Sequence, residues 1–179
     1  ECESEHLDEI DTALDRTTRI IDDVLWLARE GRDIGSTERV ELADAVGKAW
    51  HFVGAESTAE LVIAPGDDPG LPGFEADFDR LCQALENLFR NAIEHGGEGV
   101  TVTVGSLADG FYVTDDGPGI PEGEVERVFE PGYSTSQEGT GFGLAIVEQV
   151  ISAHGCEIRA TSGSADGARF EITGIDSAD

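Results

Sequence analysis

Residues 139–150 read GTGFGLAIVEQV, a run in which three glycines at alternate positions lead directly into an apolar, helix-forming segment. Free N–H groups at a helix N-terminus and the helix dipole both favour an anion there, such as a phosphate. A dinucleotide-binding fingerprint would need a further glycine where Leu144 stands, and a Walker loop would need the tripeptide GK[ST], which the sequence lacks. The segment therefore predicts an anion-binding loop of another type.

The chain is strongly acidic, with 38 Asp and Glu against 11 Lys and Arg in 179 residues and a formal net charge of −27. This charge argues against nucleic acid as a partner. Lys48 is the single lysine, and the carboxylates are spread along the whole chain rather than gathered in a tail. That distribution favours adaptation to high salt in a halophile, where repulsion between carboxylates is screened. The alternative is an ordinary acidic bacterial protein.

The length fits one main domain with an appendage. Three scattered cysteines, Cys2, Cys82 and Cys156, are too few for a disulfide framework, and no apolar run approaches the roughly 20 residues of a membrane-spanning helix. We therefore expect a cytoplasmic location, with any membrane attachment through upstream segments. The first residue is Glu1 and the sequence contains no Met, so we interpret it as a fragment of a longer protein.

Residues 5–30 contain no Gly or Pro and predict one helix. Side chains on alternating three- and four-residue steps form a heptad seam along it: Leu7, Ile10, Leu14, Thr17, Ile21, Val24 and Ala28. With charged residues on the other faces, this seam predicts a coiled coil or four-helix bundle, and so a homodimer. The alternative is an ordinary amphipathic helix of the main domain. Gly31 and Gly35 then mark a linker.

The rest of the sequence alternates strands and helices without a regular βαβ repeat, which predicts an α+β two-layer sandwich. We expect strands at 40–42, 61–64, 99–106, 110–115, 156–161 and 168–173. We expect helices at 43–53, at 77–95, at 122–129 and after the glycines of residues 139–143.

Two asparagines lie on one face of the long helix. Asn87 and Asn91 are four residues apart, away from its leucine stripe, and Asn is a poor helix former. A carboxamide oxygen can coordinate Mg²⁺ while the metal holds substrate phosphates. Arg90 suits phosphate oxygens, and His95 suits a base or ribose. The alternative is that both asparagines are ordinary surface residues.

The motif DDGPG follows a predicted strand. There the Asp115 carboxylate can accept a hydrogen bond from an exocyclic amine such as that of adenine, and Gly117 and Gly119 let the backbone approach a planar ligand. A plain turn is the alternative. Residues 131–140, rich in Gly, Ser and Thr, can close over phosphates as a lid.

These motifs, in this order, resemble the catalytic ATP-binding domain of sensor histidine kinases, in the GHKL superfamily, over residues 38–175. In that family the asparagine helix is the N box, DxGxG and GTGFG are the two glycine boxes, and the residue matching Phe129 is the F box. The resemblance implies the Bergerat fold, an α/β two-layer sandwich in which helices cover one face of a mixed sheet. It also implies an ATP lid between the F box and the second glycine box.

The resemblance implies a role for each motif residue. Asn91 would hold Mg²⁺, with Asn87 beside the phosphates or the metal's waters, and Asp115 would read the adenine amine. The other implied ATP-binding residues are Arg90, His95, Gly117, Gly119, Ile120, Ser134, Thr135, Gly139, Thr140, Gly141, Phe142, Gly143 and Leu144.

The same resemblance divides the chain into the second helix of a dimerisation and phosphotransfer hairpin (1–31), a linker (32–38), the catalytic domain (39–175) and a tail (176–179). The family's phosphoacceptor lies on the first hairpin helix in an H-[ED]-x-R-x-P setting, which none of the four histidines has, the N-terminal His6 included. We therefore expect no certain catalytic residue here. The γ-phosphoryl of ATP would pass to a histidine on a missing upstream helix, and then to an aspartate of a response regulator.

Three alternatives remain open. Other Bergerat-fold ATPases hydrolyse ATP with a general-base Glu placed four residues before the metal-binding Asn, a position held here by Asn87, while Glu86 points about 100° away around the helix. An anti-sigma-type serine kinase normally lacks a heptad helix. A pseudokinase would keep only dimerisation and docking.

Overall fold

The computed structural model describes residues 10, 13–14, 17–18, 20–21, 23–25, 35–55, 57–64, 71–121, 123–135, 139–162 and 167–175. Its strands are β1 (Glu38–Glu41), β2 (Glu60–Ile63), β3 (Gly73–Ala76), β4 (Thr101–Leu107), β5 (Gly110–Asp115), β6 (Glu157–Ser162) and β7 (Ala168–Thr173). Its main helices are α1 (Leu42–Val53), α2 (Phe78–Gly96) and α3 (Gly143–Ala153).

Five strands form one mixed sheet in the order β2-β4-β5-β7-β6, and β1 pairs with β3 in a separate antiparallel ribbon. Strand β2 runs parallel to β4, and the other neighbours in the large sheet are antiparallel. Along β4 and β5 the core side takes Val102, Val104, Phe111 and Val113, while the alternate residues other than glycine are less buried. The three helices cover one face of the sheet, which confirms the predicted two-layer sandwich.

Helices α2 and α3 supply the inner layer of the core. The leucine stripe of α2 is buried as predicted, with Leu81, Leu85 and Leu88 each at most 3% exposed. Helix α3 is apolar on most of its surface because it is enclosed between α2 and β6. The polar face of α2 and the N-terminus of α3 therefore meet at one edge of this layer.

A histidine joins the opposite ends of these two helices. His154 follows α3, and its Nε2 accepts the backbone N–H of Asp77 at 3.0 Å while its Nδ1 lies 2.8 Å from the Val150 carbonyl. Asp77 caps α2, since its Oδ1 accepts the Arg80 N–H at 3.1 Å. Its Oδ2 accepts the N–H of Gly35, in the middle of the predicted linker, at 2.9 Å. These bonds fix the position of α2 relative to α3.

Two sequence predictions about this domain are wrong. Strand β3 lies at the end of a turn-rich segment where no strand was expected, and it forms because it pairs with β1, over 30 residues earlier. The helix expected at 122–129 is instead a set of hydrogen-bonded turns among its described residues. Gly123 has a φ of +89°, a left-handed conformation that interrupts a helix.

The N-terminal segment is helical at each described position between residues 10 and 25. Four residues of the predicted seam, Ile10, Leu14, Ile21 and Val24, are 43–58% exposed in the single chain. Leu7 and Ala28 lie outside the described residues. The coiled-coil pairing of this segment stays a prediction.

Candidate functional site

A cavity of about 340 Å³ opens between α2, the end of β5 and the loop that precedes α3. It is lined by all of the predicted site residues except Gly117 and Phe142: Asn87, Arg90, Asn91, His95, Asp115, Gly119, Ile120, Ser134, Thr135, Gly139, Thr140, Gly141, Gly143 and Leu144. The predicted site residues that share this cavity are up to 57 positions apart in the sequence, from Asn87 to Leu144.

Asp115 is the most enclosed polar residue of this cavity, with 9% of its surface exposed. Its Oδ1 accepts two backbone N–H groups, from Gly117 at 2.9 Å and from Ala168 at 3.1 Å. Burial raises the pKa of this carboxyl; the two N–H groups and His95 lower it, and the Asp116 charge raises it further. Because both bonds use Oδ1, the second oxygen is left to face a ligand.

Two glycines let backbone segments approach closely around the site. A Cβ on Gly117 would lie 2.6 Å from the Cα of Gly96, so this turn packs directly on the end of α2. Gly141 has a φ of +75°, and a Cβ there would lie 2.6 Å from the carbonyl carbon of Gly132. Gly117 does not line the cavity, but it allows the turn after Asp115 to pack against the end of α2.

The two asparagines differ in their contacts. Asn87 is held by its neighbours, since its Nδ2 donates to the Gln83 carbonyl at 3.1 Å and its Oδ1 accepts from Arg90 at 3.4 Å. Asn91 makes no side-chain hydrogen bond within the described part of the chain, and it lines the cavity. A neutral amide oxygen beside space for phosphates and waters fits Mg²⁺, which prefers oxygen ligands and keeps several waters. Asn91 is thus the residue that fits a metal-holding role.

The loop between the F box and α3 is closed at its base. The N–H of Gly132 donates to the carbonyl of Gly141 at 2.9 Å, which joins the two ends of the predicted lid. Residues 136–138 of this loop lie outside the described part. The hydroxyl of Thr140 donates to Asp23 Oδ2 at 2.8 Å. The N-terminal segment therefore contacts the second glycine box directly.

The cavity includes nine residues that were not predicted as site residues, although Pro118 belongs to the DDGPG motif and Tyr133 to the predicted lid. They are Asp23, Glu94, Pro118, Pro121, Glu124, Val128, Tyr133, Ala168 and Phe170. Ala168 and Phe170 belong to β7, which lies beside β5, so their presence follows from strand order. Phe129, the predicted F box, packs edge-on against Phe170 with ring centroids 6.3 Å apart. Glu86, the residue considered above as a hydrolytic base, is not among the lining residues described.

Residues 76–176 match the family described as Histidine kinase-, DNA gyrase B-, and HSP90-like ATPase. Sensor histidine kinase ZraS of Escherichia coli O157:H7 is 32% identical in an alignment of 163 positions that covers 88% of this chain and 35% of ZraS. Sensory histidine kinase/phosphatase NtrB of Rhodobacter capsulatus is 31% identical in an alignment of 169 positions that covers 84% of this chain and 47% of NtrB. The chain thus spans between a third and a half of the length of these relatives.

Solved structures share the fold. The catalytic domain of histidine kinase ThkA has 27% identity and a TM-score of 0.64, over 77% of this chain and 96% of that one. Full-length ShkA, solved in complex with AMPPNP, has 26% identity and a TM-score of 0.77, over 99% of this chain and 40% of that one. These matches confirm the Bergerat fold that the motifs implied.

Proposed function

The chain belongs to the histidine kinase-, DNA gyrase B- and HSP90-like ATPase family, and we propose that it is the ATP-binding catalytic part of a sensor histidine kinase. The observation that carries the proposal is the position of Asp115. Asp115 lines the cavity that also holds Asn91 and the second glycine box, and both of its carboxylate hydrogen bonds use Oδ1, which leaves Oδ2 for a ligand. Asp115 can accept a hydrogen bond from a base, Asn91 can hold a metal ion, and the glycine loop can bind an anion. Together these groups suit a nucleoside triphosphate.

The nucleotide contacts that we propose follow from these groups. Asp115 accepts a hydrogen bond from the adenine amine, and Ile120 packs against the base at the same end of the cavity. The phosphates lie against the backbone of residues 139–143 and near Arg90, where N–H groups and a guanidinium donate to their oxygens. Ser134 and Thr135 approach from the lid.

Asn91 would hold Mg²⁺, with the phosphates and waters as its other ligands. When bound, the metal neutralises phosphate charge and orients the γ-phosphoryl group. Asn87 supports this arrangement: its bonds to Gln83 and Arg90 position the Arg90 guanidinium beside the phosphates.

The reaction we propose is in-line transfer of the γ-phosphoryl group to a histidine rather than to water. The position four residues before Asn91 is Asn87, whose amide cannot accept a proton from water, so hydrolysis should be slow. The site contributes positioning and electrostatic stabilisation, which are the main needs of phosphoryl transfer. The acceptor is a histidine outside this sequence, and an aspartate of a response regulator receives the group next.

The organisation that we propose keeps residues 1–31 as a hairpin helix that forms a homodimer, 32–38 as the linker, 39–175 as the catalytic domain and 176–179 as a tail. The exposed seam residues described above support pairing of this helix. A receiver domain as partner is supported by the solved complex of ThkA with response regulator TrrA, which has 24% identity and a TM-score of 0.75. No described helix is long and apolar enough to cross a membrane. We propose a cytoplasmic location for this part of the protein.

Two measurements test the function. Titration calorimetry at high salt should give Mg-ATP binding with a dissociation constant on the order of micromolar. ATP labelled at its γ-phosphate, incubated with a separately produced hairpin that carries an H-E-x-R-x-P histidine, should label that hairpin in an acid-labile form. Absence of nucleotide binding would overturn the ATP-site assignment. Binding without transfer to any such hairpin would leave a nucleotide-binding module that is not a kinase.

A further inference from the structure

One part of the cavity is not used by the proposed contacts with base, metal and phosphates. It is formed by Glu124, Val128 and Tyr133, which line the same cavity as Phe170 of β7. Glu124 is fixed by its turn, because its carbonyl accepts the N–H groups of Arg127 at 2.8 Å and Val128 at 3.1 Å. These bonds fix the backbone of Glu124 at the cavity wall.

The carboxylate of Glu124 is only partly satisfied by protein groups. Its Oε2 is shielded from solvent and has no hydrogen-bond partner among the residues that the structure describes. The carboxylate interacts with the Tyr133 hydroxyl, which raises the pKa of that tyrosine. The nearby Arg127 guanidinium stacks over the Tyr133 ring at 4.7 Å and pairs with Glu130 at 3.6 Å. A buried carboxylate oxygen without a donor is costly, so it is suited to meet a donor on a ligand.

The chemistry of the nucleotide identifies that donor. A triphosphate offers only acceptors and negative charge, so it cannot satisfy a carboxylate. The adenine amine is already matched by Asp115 in the proposed binding mode. Apart from the second hydrogen of that amine, which stays at the base end beside Asp115, the remaining donors of ATP are the two ribose hydroxyl groups.

We propose that Glu124 Oε2 accepts a hydrogen bond from a ribose hydroxyl of the bound nucleotide, so that the site selects ribonucleotides over deoxyribonucleotides. The Tyr133 hydroxyl holds the carboxylate in position. This proposal rests on the proposed function, since it assumes that the cavity binds ATP. It makes Glu124 a specificity-determining residue, in a segment that carries none of the family motifs.

Binding of ATP, 2′-deoxy-ATP and 3′-deoxy-ATP to the 179-residue chain tests the proposal. At least one deoxy analogue should bind about 10- to 100-fold more weakly than ATP, as expected for loss of a hydrogen bond to a charged acceptor. The weaker analogue identifies the hydroxyl. If ATP binds and all three affinities agree within about twofold, the proposal is wrong although the ATP site stands. If no nucleotide binds, the proposed function itself fails.

Variants locate the acceptor. In Glu124→Leu, ATP should bind as weakly as the deoxy analogue, so the discrimination disappears. In Glu126→Leu, a matched control at an exposed position of the same turn, the discrimination should persist. Glu124→Gln, which keeps the shape if the leucine variant does not fold, should reduce the discrimination to less than about fivefold, because a neutral acceptor forms a weaker bond. Unchanged discrimination in a folded Glu124 variant would contradict the assignment.

Discussion

Replacing Asp115 with asparagine should separate nucleotide binding from stability, because the two oxygens of this carboxylate have different tasks. Oδ1 accepts the N–H groups of Gly117 and Ala168 at 2.9 and 3.1 Å. In Asp115→Asn the amide oxygen can keep both bonds, which turns the NH₂ group toward the cavity. A donor would then face the adenine amine, which is itself a donor.

The expected loss of affinity follows from this mismatch. A hydrogen bond to a charged group contributes about 1.5–3 kcal/mol, and a buried donor left unpaired costs about 1–3 kcal/mol more. We expect Asp115→Asn to weaken Mg-ATP binding by about 3 kcal/mol or more, which is roughly a hundredfold.

In the absence of nucleotide, the stability of Asp115→Asn should not fall and should exceed that of the wild type at neutral pH. Burial raises the pKa of Asp115 above its ordinary value of 3.8, so the native state binds this proton more tightly than the unfolded state does. Ionisation therefore lowers the free energy of unfolding as the pH rises above 3.8. The neutral amide avoids that loss. The variant should be at least as stable as the wild type, with a difference that grows as the pH rises above 3.8.

Titration calorimetry and urea unfolding of the nucleotide-free protein measure the two effects. Asp116→Asn is the matched control, because Asp116 is exposed and accepts the Thr101 N–H at 2.7 Å, which lowers its pKa. The Asp116 carboxylate stabilises the fold when it is ionised, above pH 3.8. Asp116→Asn should therefore lose stability at neutral pH, whereas its affinity for Mg-ATP should not change. Wild-type affinity in Asp115→Asn would refute the role of Oδ2. A loss of stability in Asp115→Asn would refute the reasoning from burial.

Four further predictions follow from single features. Asn91→Asp adds a carboxylate where the phosphates and metal should meet, and calorimetry should detect no Mg-ATP binding; retained affinity would count against the metal role. Gly141→Ala puts a Cβ 2.6 Å from Gly132 in a residue with a φ of +75°, so thermal unfolding should show a loss of at least about 1–2 kcal/mol and ATP should bind more weakly. Asp77→Ala removes the α2 cap and should cost about 1 kcal/mol in urea unfolding, whereas a neutral effect would argue against the cap. Mg-ATP affinity should rise as salt is increased to about 1 M, where the Debye length is about 3 Å; a fall in affinity would contradict the influence of the acidic surface.

The parts of the fold that could be predicted are those specified by nearby residues. The β4–β5 hairpin was predicted because the alternation of its residues and its turn lie within one short segment. Helix α2 was predicted because its leucine stripe and the glycines that end it are also local. Strand β3 was missed because its partner β1 ends more than 30 residues earlier, and pairing at that distance leaves no local pattern. The helix expected at 122–129 was wrong because the left-handed conformation of Gly123 outweighed the helix propensity of its neighbours.

The candidate site divides in the same way. Asn91, Asp115 and the glycines of residues 139–143 were indicated by their motifs, and the structure brings them into one cavity. Ala168 and Phe170 were missed because they reach the cavity through the pairing of β7 with β5, which strand order alone determines. Asp23 was missed because its contact with Thr140 joins residues 117 positions apart.

The charge of the cavity bears on how so acidic a chain can bind ATP. Four carboxylates line it, those of Asp23, Glu94, Asp115 and Glu124, and Arg90 is the sole Lys or Arg among the lining residues described. Attraction by basic side chains therefore cannot supply most of the affinity for a triphosphate. Backbone N–H groups at the start of α3, which carry no net charge and do not vary with composition, can supply it together with Mg²⁺. A surface rich in Asp and Glu excludes partners bound through basic patches, such as nucleic acid, but it is compatible with a phosphate site built from glycine backbone.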